Sequence, residues 1–159
     1  MTDTLVLGLG NTLRGDDGVG PAVIGWLQGR GLPPEVSTWE GDAAGLELTL
    51  AMAEHRRVIV VDAADLGRAP GAWLRLTPDR ARLKSGASAL SLHAAGLWDA
   101  LALGAALNLL PNEIVIYGIQ PAQLDWLPVL SAEAQAAVPN VGRAVLHEIG
   151  GQDGKDSDH

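Results

Sequence analysis

The sequence predicts an α/β fold: a single three-layer α/β/α domain built on a mostly parallel, twisted five-stranded sheet. Three observations predict it. Apolar runs of strand length alternate with stretches at helical spacing along the 159 residues, as when parallel strands are joined by helical crossovers. The runs Leu5-Val6-Leu7 and Val58-Ile59-Val60-Val61 are continuously apolar, which suits strands covered on both faces. Ionisable residues follow several of these runs, at the strand ends where open parallel sheets keep their functional crevice.

Residues 4–10 form the first strand, and Gly8 and Gly10 permit a tight turn at its end. Residues 18–29 form the first helix, with Val19, Val23, Ile24 and Leu27 at helical spacing and Pro21 in the first turn, where proline is tolerated. A short strand at 36–39 leads into Glu40-Gly41-Asp42. Residues 46–54 are helical, with Leu46, Leu50 and Ala53 on one face. The strand at 57–61 ends directly in Asp62. A fourth strand spans 72–76, and a loop at 78–91 carries Arg80, Arg82 and Lys84. A long helix covers 93–110 through Leu97, Leu101 and Leu109. The fifth strand, 113–118, runs into Gly118-Ile119-Gln120-Pro121. Ser131 is the N-cap of a last helical region, interrupted or restarted at Pro139 and reaching 149. The domain therefore covers 1–149, and the polar residues 150–159 are expected to be a disordered tail.

Composition removes several classes. No apolar run is long enough to span a bilayer, and Met1-Thr2-Asp3 does not open a signal peptide. A cytoplasmic protein without membrane insertion is expected. There is no cysteine, which excludes disulfides, thiolate metal sites and a cysteine nucleophile. The formal net charge of −8 argues against a nucleic acid, whose phosphates call for clustered Lys and Arg. Gly8-Leu9-Gly10 lacks the third glycine of a dinucleotide fingerprint, and no phosphate-loop lysine follows it. A Gly-x-Ser-x-Gly nucleophile elbow is absent from the chain.

What remains is acidic. Asp16 and Asp17 follow the first strand, Asp62 ends the third with Asp65 close behind, and His93 opens the long helix. Two carboxylates and an imidazole suit a borderline divalent cation, and such a set with open positions serves metal-assisted hydrolysis. Each residue also has a structural alternative. Asp17 near a helix N-terminus is favoured by the helix dipole, Asp62 can satisfy loop N–H groups, and a lone histidine at a helix start need ligate nothing.

Beyond the residues themselves stands a resemblance. The runs Gly8-Leu9-Gly10-Asn11-Thr12-Leu13-Arg14-Gly15-Asp16-Asp17-Gly18-Val19-Gly20, Val60-Val61-Asp62-Ala63-Ala64-Asp65-Leu66-Gly67 with Pro70-Gly71, Ser91-Leu92-His93-Ala94-Ala95-Gly96-Leu97 and Gly118-Ile119-Gln120-Pro121 occur in that order. Together they resemble the hydrogenase maturation endopeptidases, over about residues 5–149. The resemblance implies a protease that clips the C-terminal peptide from the large-subunit precursor of a NiFe hydrogenase after nickel insertion. It implies that the precursor is the partner and that nickel is supplied by the substrate. Asp17, Asp62 and His93 are then the nickel-recognising and catalytic residues, with Asp16 the second choice beside Asp17. Zinc or cadmium would serve as a surrogate in the purified protein. The rival readings are a non-catalytic, nickel-checking chaperone of the same precursor and a nucleotide-binding module. One departure stands out: many members carry Asp-Gly-Gly-Thr after the second strand, where this chain has Glu40-Gly41-Asp42-Ala43-Ala44-Gly45. Asp42 is therefore a candidate either for substrate specificity or for a structural role in that loop.

Overall fold

A computed structural model describes residues 3–42, 45–78 and 94–156. Five strands form one sheet: β1 (Thr4–Leu9), β2 (Val36–Gly41), β3 (Arg57–Ala63), β4 (Trp73–Leu76) and β5 (Glu113–Ile119). Their spatial order is β2-β1-β3-β5-β4. The first four in that order run parallel, and only β4, at an edge, is antiparallel to its neighbour β5. Among the described residues four helices cover the sheet: α1 (Val19–Gln28), α2 (Gly45–Ala53), α3 (Ala94–Ala106) and α4 (Ala132–Asp156). The expected α/β architecture and all five expected strands are present.

The alternation of side chains along each strand divides the core into two. On one face Leu5, Leu7, Leu9, Val58, Val60 and Ile116 meet Leu48 and Met52 of α2 and Leu97 and Leu101 of α3. On the other, Val6, Ile59, Val61, Val115, Tyr117 and Ile119 meet Val23, Ile24 and Leu27 of α1 and Val141 and Val145 of α4. Every residue of β1 and β3 is buried, which explains their unbroken apolar runs.

Two helices end elsewhere than expected. The third stops at Ala106 rather than 110. Asn108 adopts φ 58°, its N–H bonds to the Ala105 carbonyl, and the Leu109 N–H bonds back to the Gly104 carbonyl at 2.8 Å. That is a Schellman terminus with asparagine in the left-handed position. The last helix passes through Pro139 without a break and continues to Asp156, so residues 150–156 are helical where a disordered tail was expected. Proline deprives the Gln135 carbonyl of its partner, but Gln135 is exposed, so water can replace the lost bond. Ser131 caps this helix as expected, its Oγ accepting the Ala134 N–H at 3.1 Å. The buried Arg57 guanidinium donates to the Glu148 and Ile149 carbonyls, holding the helix to the start of β3.

No helix among the described residues is long and apolar enough to cross a membrane.

Candidate functional site

The chain leaves β1 toward β2 on one side and later returns to β3 on the other. The helices making these two moves, α1 and α2, lie on opposite faces of the sheet. A crevice therefore opens at the carboxyl ends of β1 and β3, the switch point at which such folds bind. Asp16 and Asp17 follow β1 in a 3-10 turn (Gly15–Gly18) that rests against β3. Asp62 is the penultimate residue of β3, on the face of Val58 and Val60. All three carboxylates are buried, with Asp16 at 0 %, Asp17 at 1 % and Asp62 at 3 % exposure.

Glycines make this convergence possible. A Cβ on Gly20 would come 2.5 Å from the carbonyl oxygens of both Leu9 and Val61, and one on Gly8 would come 2.5 Å from Ile24 Cγ1. The first turn of α1 thus sits directly on the strand ends. Gly10, at φ 145°, turns the chain where any side chain would collide with the Asp17 carbonyl.

The neighbouring aspartates are held differently. Asp17 Oδ2 accepts the Asn11 N–H at 2.9 Å, and Asn11 Oδ1 accepts the Leu13 N–H, which folds the loop after β1 over the carboxylate. Asp16 is saturated. Its Oδ1 accepts the Ser131 N–H at 2.7 Å, and its Oδ2 accepts the Ser131 hydroxyl at 2.7 Å and the N–H groups of Ala122 at 2.8 Å and Gln123 at 3.2 Å. Charge-assisted bonds of this number fix a carboxylate and everything bonded to it. Asp16 therefore ties the turn to the loop after β5.

Sequence reasoning placed a loop after the fifth strand but missed its bonds to Asp16. Gly15 N donates to the Leu127 carbonyl and Asp16 N to the Gln123 carbonyl. Gln120 Oε1 accepts the Leu66 N–H at 2.6 Å, which bonds the loop after β3 to the same segment. Asp65 accepts the Gly67 N–H in a local turn, and Asp42 is exposed at the end of β2. Between the loops lies a cavity of about 260 Å³ lined by Thr12, Gly18, Glu40, Pro128 and Val129, among others. The signal that might have revealed the loop was Ser131 itself: its hydroxyl caps α4 and also donates to Asp16.

His93 lies outside the described residues, as does most of the loop expected at 78–91. The helix after it starts at Ala94. A six-residue connection joins the C-terminus of that helix to the start of β5, so its N-terminus faces the carboxyl edge of the sheet. Among the described residues no group of three His, Cys, Asp or Glu side chains is arranged to hold a metal. The structure does bring Asp17 and Asp62 to one crevice.

Known proteins resemble this chain closely. Residues 21–148 match the model of the HycI hydrogenase maturation protease family. The hydrogenase expression/formation protein HupM of Azotobacter chroococcum is 36 % identical over 122 residues, 76 % of this chain and 58 % of that one. HupD of Rhizobium leguminosarum bv. viciae is 34 % identical over 137 residues, covering 85 % of this chain and 68 % of that one. This chain thus spans little more than half of the Azotobacter relative. The structure of the hydrogenase maturating endopeptidase HybD from E. coli superposes with a TM-score of 0.84 at 28 % identity, over 93 % of this chain and 92 % of that one. A carboxylate-lined switch point, this fold and a family match over most of the length lead to one assignment: the chain belongs to the hydrogenase maturation protease family.

Proposed function

We propose that this protein is an endopeptidase that removes the C-terminal peptide of a NiFe-hydrogenase large-subunit precursor once nickel has been inserted. In this reading Asp17, Asp62 and His93 complete the coordination of nickel carried by the substrate. The observation that carries it is the pair of buried carboxylates at the switch point: Asp17, in the 3-10 turn that rests against β3, and Asp62, near the end of β3. Carboxylate oxygens with an imidazole form a donor set suited to a borderline divalent ion such as nickel, and zinc or cadmium would serve as a surrogate.

A cation arriving with the precursor would help offset the desolvation of these buried carboxylates. Docking then tests for the metal and fixes the peptide that follows it. With neither a cysteine nor a Gly-x-Ser-x-Gly elbow in the chain, hydrolysis proceeds by attack of water. The substrate's nickel polarises the scissile carbonyl, or a site carboxylate accepts the proton of the attacking water. Holding the scissile bond in register lowers the barrier by orientation alone.

Incubation with nickel-loaded and nickel-free precursor, read by mass spectrometry, tests the proposal. The wild-type chain should release the C-terminal peptide only from the loaded precursor. Asp17→Ala, Asp62→Ala and His93→Ala should each lower the rate at least about 100-fold, the scale of losing a catalytic group. Binding without cleavage would overturn the protease reading in favour of a precursor-checking chaperone. Cleavage that ignores nickel, or survives all three substitutions, would overturn the site assignment.

A further inference from the structure

We propose that the loop of residues 121–130 is the wall on which the polypeptide substrate rests, and that Asp16 is the positioning residue that holds this wall in register with Asp17. The inference rests on the protease reading above and extends it to how the substrate is held.

The surface of this loop is unusual. Trp126, Leu127 and Val129 are 69 %, 56 % and 59 % exposed, and Leu13, on the loop after β1, is 60 % exposed. A lone exposed leucine calls for no explanation, but four large apolar side chains on two loops bonded to each other do. The Arg14 guanidinium lies 5.2 Å from the centre of the Trp126 ring and donates to the Leu124 carbonyl, so the tryptophan is braced by a cation–π contact. Exposed, braced aromatics are the side chains that anchor partners.

The loop's placement identifies its occupant. Its backbone is bonded to Gly15 and Asp16, the residues immediately before Asp17. The patch is therefore continuous with the crevice where Asp17 and Asp62 meet, and the cavity of about 260 Å³ separates the loop from Glu40 on β2. A chain lying on Trp126 and Leu127 runs into that crevice. Apolar side chains with two carboxylates, Glu40 on the cavity and exposed Asp125 on the loop, favour an apolar stretch of polypeptide over an acidic one.

Asp16 makes this wall rigid. Four donors converge on one carboxylate, and three of them are backbone N–H groups at 122, 123 and 131. An asparagine at that position would turn an N–H group toward one of these donors, so the near-isosteric change breaks the arrangement.

The test is steady-state cleavage of nickel-loaded precursor by the full chain. The double variant Trp126→Ser, Leu127→Ser alters only exposed side chains; it should raise KM about tenfold while kcat stays within about twofold, as lost substrate contact requires. Asp16→Asn should raise KM at least as much. Val141→Ala, which opens the buried core on the α4 side, serves as a comparison of lowered Tm and should leave KM unchanged. An unaltered KM in the double variant overturns the proposal, as does Asp16→Asn raising KM no more than Val141→Ala. If Asp16→Asn does not fold, the double variant decides alone. Should the wild-type chain cleave no precursor, the protease reading falls, and Kd for the same precursor then tests the wall: weaker binding by the double variant upholds it, and equal binding overturns it.

Discussion

Adjacent aspartates of identical chemistry have different surroundings here. Asp17 accepts the Asn11 N–H from the loop after β1 and lies in the turn that rests against β3, whereas Asp16 is held by residues more than a hundred positions away. The sequence offered both as candidates for one position, because spacing reveals that two carboxylates follow a strand and not what donors the distant chain brings to them. On β5, Tyr117 donates to Glu148 at 3.1 Å and Arg75 pairs with the same carboxylate at 2.5 Å. Burial first, and then the Glu148 charge, push the Tyr117 phenol up to about 12 from 10.0. Burial alone would raise Glu148, but the Arg75 hydrogen bond and charge prevail and hold it low. The fold thus favours a neutral phenol. That stability is complete below pH 10 and drains away as the pH climbs toward about 12. Urea denaturation between pH 8 and 12 should show Tyr117→Phe less stable than wild type by about 1 kcal/mol at pH 8. The wild type should lose this advantage at the alkaline end.

The elements were legible wherever burial on both faces left a continuous apolar run, as in β1, β3 and β5. Their ends were not. β2 continues to Gly41 and β3 to Ala63, beyond their apolar cores, because pairing with a neighbour extends a strand past what its own side chains indicate. The third helix ends early because Asn108 takes a left-handed backbone, a local choice that outweighs the leucines following it. The fourth helix shows the opposite: tertiary packing of Ala137, Val141 and Val145 carries it through a proline. Its interior position makes Pro139 a standing cost to that helix. Pro139→Ala should raise the urea midpoint, by about 1–3 kcal/mol in unfolding free energy, since alanine restores the N–H for the Gln135 carbonyl. An unchanged midpoint would mean that the helix is already relaxed around the ring.

In the whole molecule the crevice depends on how closely α1 approaches the sheet. Gly20 meets the ends of β1 and β3 with no room for a methyl group. Gly20→Ala should therefore cost at least about 2 kcal/mol by overpacking against backbone that cannot yield. Thermal unfolding would measure this, and a Tm equal to wild type would show the seam to be looser than its distances. The architecture was readable from the alternation of elements, and so was the placing of Asp17 and Asp62 at or after strand ends, but the strand order that sets the switch point came only with the structure. The wall contributed by the loop after β5 was not readable, because its partner on the turn is remote in sequence. The bond from Ser131 to Asp16 spans 115 positions, and that span acquires a meaning when the protein is being made. Asp16 and Asp17 leave the ribosome 115 and 114 residues ahead of Ser131. A nascent chain short of Ser131 therefore carries both aspartates without two of the donors that pin Asp16, and the turn gains its full set of bonds only as the last helix begins.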